Sequence, residues 1–321
     1  MTRCGIVLAA GDGTRLQPFI QRWRGDALPK QYVNFLGPYS MLEHTFRRAE
    51  LLIPPERLFT VVGRAHLSFR DAARQLARRP PGTVIVQPQN KETGPGLLLP
   101  LAHIAARHPE SVAVVLPSDH FIAEERLFMG YVDLACRAVE RDPRRLVLLG
   151  VEPHAPEPDY GYIIPGRRAT DGACIKRVAR FVEKPPPAQA QELIRQGALW
   201  NTFVMVVQPQ SLMELVRWTA PALFAAFHRI RGAIGAPHEQ ALVEEAYQTL
   251  PPVNFSEEVL GRTASNDPLQ ISVIPARAVS WNDWGSEQRL RADLHRHGHS
   301  AWVNQFPAYP VPAAGATAAA V

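Results

Sequence analysis

Five short apolar runs rich in β-branched residues fall at 4–10, 57–63, 83–88, 112–117 and 144–151, and segments of helical periodicity at about 40–52, 66–79, 94–108 and 124–140 lie between them. Strands that alternate with helices predict an α/β fold: a doubly wound, mainly parallel, Rossmann-like sheet flanked by helices. Such sheets bind ligands in the crevice beyond the carboxyl ends of their strands. Two polar segments fall there. Leu8-Ala9-Ala10-Gly11-Asp12-Gly13-Thr14-Arg15-Leu16 follows the first run, and Ser118-Asp119-His120 follows the fourth, so both are expected to open into one crevice.

From about residue 150 the pattern changes but continues the same core. Residues 177–185, 203–207 and 271–276 read as strands, and 187–197, 209–218, 220–233, 237–249 and 285–296 as helices. The expectation is a single domain over 1–300, with a first half at 1–150 and a second at 151–300. Residues 306–321 hold Pro, Ala and Gly with almost no charge and are expected to be a disordered tail. A content of 46% hydrophobic residues in 321 suits one large or two modest globular domains.

The glycine-rich segment points to an anion. Glycines let a backbone come close, and their N–H groups can cradle phosphate oxygens. Arg15 and the later Pro29-Lys30-Gln31 add the positive charge that a triphosphate needs. The segment is not a dinucleotide fingerprint, because Leu16 stands at the third glycine position, and no G-x-x-x-x-G-K-[ST] run exists. A bare G-x-G is also an ordinary tight turn. Lysine usage adds a second signal. Only Lys30, Lys91, Lys176 and Lys184 occur among 35 basic residues; the rest are arginine. A compact ammonium at Lys30 and Lys184 implies places where a planar guanidinium fork does not fit.

Composition excludes several classes. Cys4, Cys136 and Cys174 lie far apart without a C-x-x-C, so neither a disulfide framework nor a zinc cluster is indicated. A reduced, cytoplasmic setting follows as the expectation. The N-terminus runs straight into a strand, and no apolar stretch is long enough to span a bilayer, so no membrane partner is expected. The net charge of +5 and isoelectric point near 9.3 permit a nucleic-acid partner. The arginines are scattered, however, and no nucleic-acid motif occurs, so no such partner is expected. A solvated basic surface or anionic substrates explain the bias equally well. A homo-oligomer is left open. His295, His297 and His299 alternate as metal ligands can, but a frayed polar helix end explains them more simply. Ser118-Asp119-His120 has the letters of a triad, yet adjacent residues rarely reach one reacting atom and G-x-S-x-G is absent.

The longer string, G-x-G-T-R-L followed by P-K-Q, resembles the signature of the sugar-1-phosphate nucleotidyltransferases, most closely the mannose-1-phosphate guanylyltransferases. Further blocks continue the resemblance in order: Pro29-Lys30-Gln31-Tyr32, Ser40-Met41-Leu42-Glu43, Val115-Leu116-Pro117-Ser118-Asp119-His120, Phe181-Val182-Glu183-Lys184-Pro185, Trp200-Asn201-Thr202 and Trp281-Asn282-Asp283-Trp284-Gly285-Ser286. They cover residues 4 to about 290. The resemblance implies a glycosyltransferase-A-like core whose first half binds nucleotide and whose second half binds sugar phosphate. It implies transfer of a nucleotidyl group from a nucleoside triphosphate, GTP by preference, to a sugar 1-phosphate, mannose 1-phosphate by preference. UTP, dTTP, CTP or ATP with another sugar is the alternative, as is a non-catalytic nucleotide-binding relative.

Carried over by resemblance, Leu8, Ala9, Ala10, Gly11, Gly13 and Thr14 hold the nucleotide, with Gln87 and Gly94 in the base-recognition region. Arg15, Lys30 and Asp119 are the catalytic residues: Arg15 on the leaving pyrophosphate, Lys30 at the α-phosphate. Asp119 and Asp283 would bind Mg²⁺, which suits carboxylates plus substrate phosphates. They are 164 residues apart, so sequence cannot show that they meet. Asp119 alone also reads as a helix cap. Gly161, Glu183, Lys184, Asn201 and Trp281 would serve the sugar phosphate, although core packing explains a tryptophan as well. On a strand, Glu183 and Lys184 would point to opposite faces, so their block is expected at a strand end or bend. Several positions depart from the family. Lys91-Glu92-Thr93-Gly94-Pro95 stands for R-N-T-A-P, and Gln87 matches thymidylyl and uridylyl relatives rather than the usual glutamate. Ala10 and Asp12 replace the commoner Gly and Ser, a charged insertion separates Phe19 from Leu28, and Ser256-Glu257-Glu258-Val259 replaces S-I-D-Y.

Overall fold

The computed structural model describes residues 1–168, 174–262 and 269–307. The expectation of a disordered tail therefore falls almost wholly outside the described residues. The first half contains strands β1 (Arg3–Ala9), β2 (Leu58–Gly63), β3 (Val84–Gln87), β4 (Val112–Pro117), β5 (Phe121–Ile122) and β6 (Arg145–Val151). Among them lie helices α1 (Gln17–Arg24), α2 (Met41–Ala49), α3 (Arg70–Leu76), α4 (Thr93–Arg107) and α5 (Glu125–Arg141). The second half adds β7 (Tyr162–Arg168), β8 (Lys176–Val182), α6 (Pro187–Arg195), β9 (Leu199–Val207), α7 (Pro209–Thr219), α8 (Pro221–Ala233) and α9 (Glu239–Thr249). β10 (Gln270–Pro275), β11 (Trp281–Asn282), α10 (Glu287–Arg296) and α11 (Ser300–Val303) follow.

Nine strands form one sheet in the order β3-β2-β1-β4-β9-β6-β10-β8-β7. β1 pairs in parallel with β2 and β4, β2 with β3, and β6 with β10. β9 runs antiparallel between β4 and β6, and β8 antiparallel to β10 and β7. The two halves thus share one sheet, because β9 of the second half sits between two strands of the first.

The period-2 alternation of each central strand feeds two cores. Val7 and Ala9 of β1, with Val112, Val114 and Leu116 of β4, face the core built with α2 and α5. Cys4, Ile6, Ala113 and Val115 face the core built with α4, α7 and α8. That two-sided burial makes the central strands read as continuous apolar runs. Cys4 and Cys136 are free buried thiols and Cys174 is free and exposed. Among the described residues, no helix is long and apolar enough to cross a membrane.

Some local readings change. The charged insertion after Phe19 is helix α1, which buries Phe19 and Ile20 and turns Arg22 and Arg24 to ion pairs with Glu287 and with Asp26 and Asp71. Ser40-Met41-Leu42-Glu43 is a capping box on α2, with Glu43 N–H donating to Ser40 Oγ at 3.1 Å and Ser40 N–H to Glu43 Oε2 at 2.9 Å. Asp119 caps no helix; α5 begins six residues later. His297 and His299 follow the C-terminus of α10, in keeping with a polar helix end.

Candidate active site

The crevice opens where β1 and β4 end side by side. Ser118 ties the two ends together: its N–H and its hydroxyl both donate to the Leu8 carbonyl, at 3.1 and 2.7 Å. Gln31 draws in the glycine loop, its side-chain amide donating to the Ala9 and Gly11 carbonyls at 2.8 and 2.9 Å. Among the described residues, the N–H groups of Gly11, Asp12 and Gly13 find no protein acceptor, the condition for cradling an anion. Gly13 has φ of +61°, and a Cβ there would lie 3.1 Å from Lys30 Cβ, so this position requires glycine twice over.

Lys30 is the hub. Its side chain is 5% exposed, yet its ammonium lies 2.8 Å from Asp119 Oδ2 and donates to the main-chain carbonyl of Asp283. A short ribbon brings the two aspartates together. β5 pairs antiparallel with β11, matching Trp281 to Ile122 and Asn282 to Phe121. That ladder starts two residues after Asp119 and ends one residue before Asp283. Arg48 of α2 supports the first side by donating to the His120 carbonyl at 2.9 Å.

Asp283 sits in a turn held by its own side chain. Its Oδ1 accepts from Gly285 N–H at 2.9 Å and from the Tyr160 hydroxyl at 2.8 Å. Asn282 likewise accepts from Trp284 N–H at 2.8 Å, which fixes Trp284 at φ of +43°. Arg15 Nη2 reaches Asp283 Oδ2 at 3.1 Å while its other nitrogen holds Asp159 at 2.7 Å. Arg289 of α10, paired with Glu157 and Asp159, stands 3.6 Å from Asp283 Oδ1. Gly285 makes this crowding possible: a Cβ there would collide with Arg289, and with Asp283 Oδ2 at 2.7 Å and Arg15 at 2.8 Å.

Both carboxylates are held ionised. Burial alone would raise the Asp283 carboxyl, but Lys30, Arg289 and the Tyr160 hydroxyl outweigh it and bring the pKa down to about 2. Asp119 shows the same competition, and Lys30 again wins, holding it below the usual range. His120 goes the other way: burial, with Lys30 and Arg48 nearby, lowers it to about 4, so the ring is neutral at pH 7. The Trp281 indole N–H donates to His120 Nδ1 at 3.2 Å, which assigns the proton of the neutral ring to Nε2. Arg15, Lys30 and Asp119, with Gly13, Thr14 and Gly285, line a cavity of about 210 Å³. Asp119 lines that cavity, and Asp283 joins it through Arg15 and Lys30; ionised carboxylates are the hard oxygen donors that Mg²⁺ takes together with phosphates, so these residues fit that ion.

The second half brings its own residues together. β8 ends at Val182, and Glu183-Lys184 form a bend with Lys184 at φ of +43°. Gly161 lies against it: a Cβ there would fall 2.7 Å from Glu183 Oε2, 2.9 Å from the Phe181 ring and 3.4 Å from Asn201. Asn201 N–H donates to the Gly161 carbonyl at 2.8 Å, and its side-chain oxygen accepts from Phe203 N–H at 3.0 Å. Burial pushes the Glu183 carboxyl up, with Lys184 opposing. Trp281 is only 6% exposed, wedged among Tyr160, Trp200 and His120, so its indole packs as core beneath Tyr160 and its N–H is already spent on His120. Gln87 is buried under α9, its oxygen accepting from the Tyr247 hydroxyl at 3.1 Å. Gly94 N–H donates to the Val253 carbonyl at 2.8 Å, and a Cβ at Gly94 would come equally close to that oxygen.

A family model described as nucleotidyl transferase matches residues 4–290. The chain belongs to the nucleotidyl transferase family. The xanthan biosynthesis protein XanB of Xanthomonas campestris is 29% identical over 287 residues, which cover 89% of this chain and 58% of that protein. A mannose-1-phosphate guanylyltransferase of Klebsiella pneumoniae is 26% identical over 288 residues, again 89% and 58%. The chain thus spans a little over half the length of these curated relatives. A solved structure described as a mannose-1-phosphate geranyltransferase from Thermus thermophilus superposes with a TM-score of 0.77 at 29% identity, covering 91% of this chain and 79% of that one. In keeping with that family, the chain has the glycosyltransferase-A-like core expected from its sequence blocks.

Sequence reasoning missed four residues at this site. Tyr160 lies inside the Tyr160-Gly161-Tyr162 string, where an aromatic beside the glycine was the available signal. Asp159, Arg289 and Glu157 carry no local signal; only the packing of α10 against the loop before β7 reveals them.

Proposed function

We propose that this chain is a Mg²⁺-dependent sugar-1-phosphate nucleotidyltransferase, with GTP and mannose 1-phosphate as its favoured pair. The observation that carries this reading is that Arg15, Lys30 and Asp119 line one cavity beside the glycine loop and that Arg15 and Lys30 both also contact Asp283. The guanylyl and mannosyl preferences lean on the curated relatives alone.

The chemistry follows from charge. An oxygen of the sugar phosphate attacks the α-phosphorus, a P–O bond forms, and the α–β bridging P–O bond breaks with its electron pair leaving on pyrophosphate. The nucleophile is already an anion, so no general base is needed. Two polyanions must instead be brought into line and neutralised. The glycine-loop N–H groups bind the triphosphate. Lys30 neutralises charge at the α-phosphate, and Arg15 follows the pyrophosphate, releasing Asp159 and Asp283 to do so. Asp119 and Asp283 would hold a Mg²⁺ ion, which would supply further neutralisation of phosphate charge when bound. Gly161, Glu183, Lys184 and Asn201 orient the sugar phosphate.

Assay of pyrophosphate release over a matrix of nucleoside triphosphates and sugar 1-phosphates tests the reading. GTP with mannose 1-phosphate is expected to give the highest kcat/KM, and EDTA to abolish turnover until Mg²⁺ is restored. Turnover with a non-guanine nucleotide alone overturns the guanylyl preference, and Gln87, which matches thymidylyl and uridylyl relatives, favours that second reading. Nucleotide binding with no turnover anywhere in the matrix supports a non-catalytic relative. Gly161→Ala offers a sharper check of the sugar side. Its methyl group overpacks Glu183 at a cost of about 1–3 kcal/mol. The KM for sugar phosphate is expected to rise about tenfold, with the nucleotide KM unchanged.

A further inference from the structure

A carboxylate in the middle of an anion-cradling loop is a liability, and Asp12 puts one between Gly11 and Gly13. The structure engages both of its oxygens. Oδ1 lies 3.3 Å from His66 Nε2, and Oδ2 accepts from the Asn90 amide at 2.9 Å. His66 follows β2 and is 2% exposed, and its other ring nitrogen lies 3.3 Å from the Tyr32 hydroxyl. The ring thus bridges Asp12 and Tyr32, whose hydroxyl also donates to the Ala9 carbonyl at 3.3 Å, and a proton on Nε2 is what lets His66 donate to Asp12. The Asn90 side-chain oxygen accepts from Glu92 N–H at 3.0 Å, which aims its NH₂ group at Asp12. Arg15 and Lys30, the cations on the phosphate side, engage Asp159, Asp283 and Asp119 instead.

We propose that His66 and Asn90 are positioning residues that hold the Asp12 carboxylate out of the triphosphate path and, through it, lock the glycine loop to the loop after β3. This inference rests on the nucleotidyl-transfer reading. It joins the loop that grips phosphate to the loop that lies at the base, so one polar tie sets the distance between the two. A free Asp12 carboxylate would repel the nucleotide and leave the sugar phosphate unaffected.

A double-mutant cycle tests it. His66→Ala is expected to raise the nucleotide KM about tenfold, the size of one lost hydrogen bond to a charged group. The sugar-phosphate KM is expected to stay within about twofold. Adding Asp12→Ser to His66→Ala is expected to recover most of that loss, because the repelling charge is gone. Asn90→Ala, at an exposed position, is expected to move the nucleotide KM in the same direction and serves if the His66 variant fails to fold. An unchanged nucleotide KM in both single variants overturns the tie. So does a double variant no better than His66→Ala, which would mean that His66 merely supports packing. Calorimetric affinity for the nucleoside triphosphate with Mg²⁺ reads the same cycle independently of chemistry. Wild-type protein that binds nucleotide without turnover therefore sinks the catalytic reading while still judging the tie.

Discussion

Asp283→Asn is expected to lower kcat by about 10²–10³-fold, the scale of losing one preorganised electrostatic contact to a reacting group. The substitution keeps the shape of the turn and the hydrogen bond from Gly285. It removes the charge that Arg15 and Arg289 meet and that Lys30, bound to the main-chain carbonyl of the same residue, stabilises from nearby. Asp119→Asn is expected to act alike, since Lys30 ties both aspartates into one cluster. Full activity in either variant refutes the metal assignment. Stability gives a second readout. The Asp283 pKa lies near 2, below its ordinary 3.8, so the folded state favours the ionised form. That preference contributes about 2 kcal/mol. It is fully present above the unfolded pKa near 4 and is lost as pH falls through 2. Asp283→Asn should therefore unfold at lower temperature than wild type at pH 7, with the gap closing below pH 3. A gap that persists unchanged at low pH would show that the effect is steric.

Lys30→Arg is the second large effect. Charge is conserved, so a purely electrostatic role would tolerate it. The geometry does not. The ammonium is buried between Asp119 Oδ2 and the Asp283 carbonyl, and its stem passes under Gly13, which leaves no room for a planar fork. A displacement of about 1 Å at such a site costs about 10²-fold in rate. We expect that loss in kcat, with a circular dichroism spectrum like that of wild type. Wild-type kinetics in Lys30→Arg would discredit the argument that lysine survives here, in so arginine-rich a chain, for its shape.

Much of this molecule was legible from its residues. The central strands were plain because burial on both faces gives unbroken β-branched runs, as at 112–117. β7 was missed because Pro165 and Gly166 interrupt its pattern, which an edge position tolerates. Helix α1 was hidden by Arg22 and Arg24, whose partners lie elsewhere in the chain. The bend at Glu183-Lys184 was legible because neighbouring side chains with one ligand cannot both serve it from a strand. The meeting of Asp119 with Asp283 was not, because it depends on a ladder between β5 and β11, each only two residues long. Nothing in either dipeptide announces its partner.

That ribbon also fastens the ends of a long stretch of chain to each other. The stretch between Ile122 and Trp281 is closed by this clasp and is also pinned where β9 pairs with β4, and it reaches back to the acid pair through the Tyr160 hydroxyl on Asp283. The enclosed stretch carries Gly161, Glu183 and Asn201, together with α9 and the Val253 segment that rests on Gly94. A substitution in either dipeptide of the ribbon is therefore expected to shift the acid pair even though every residue of the enclosed stretch is kept.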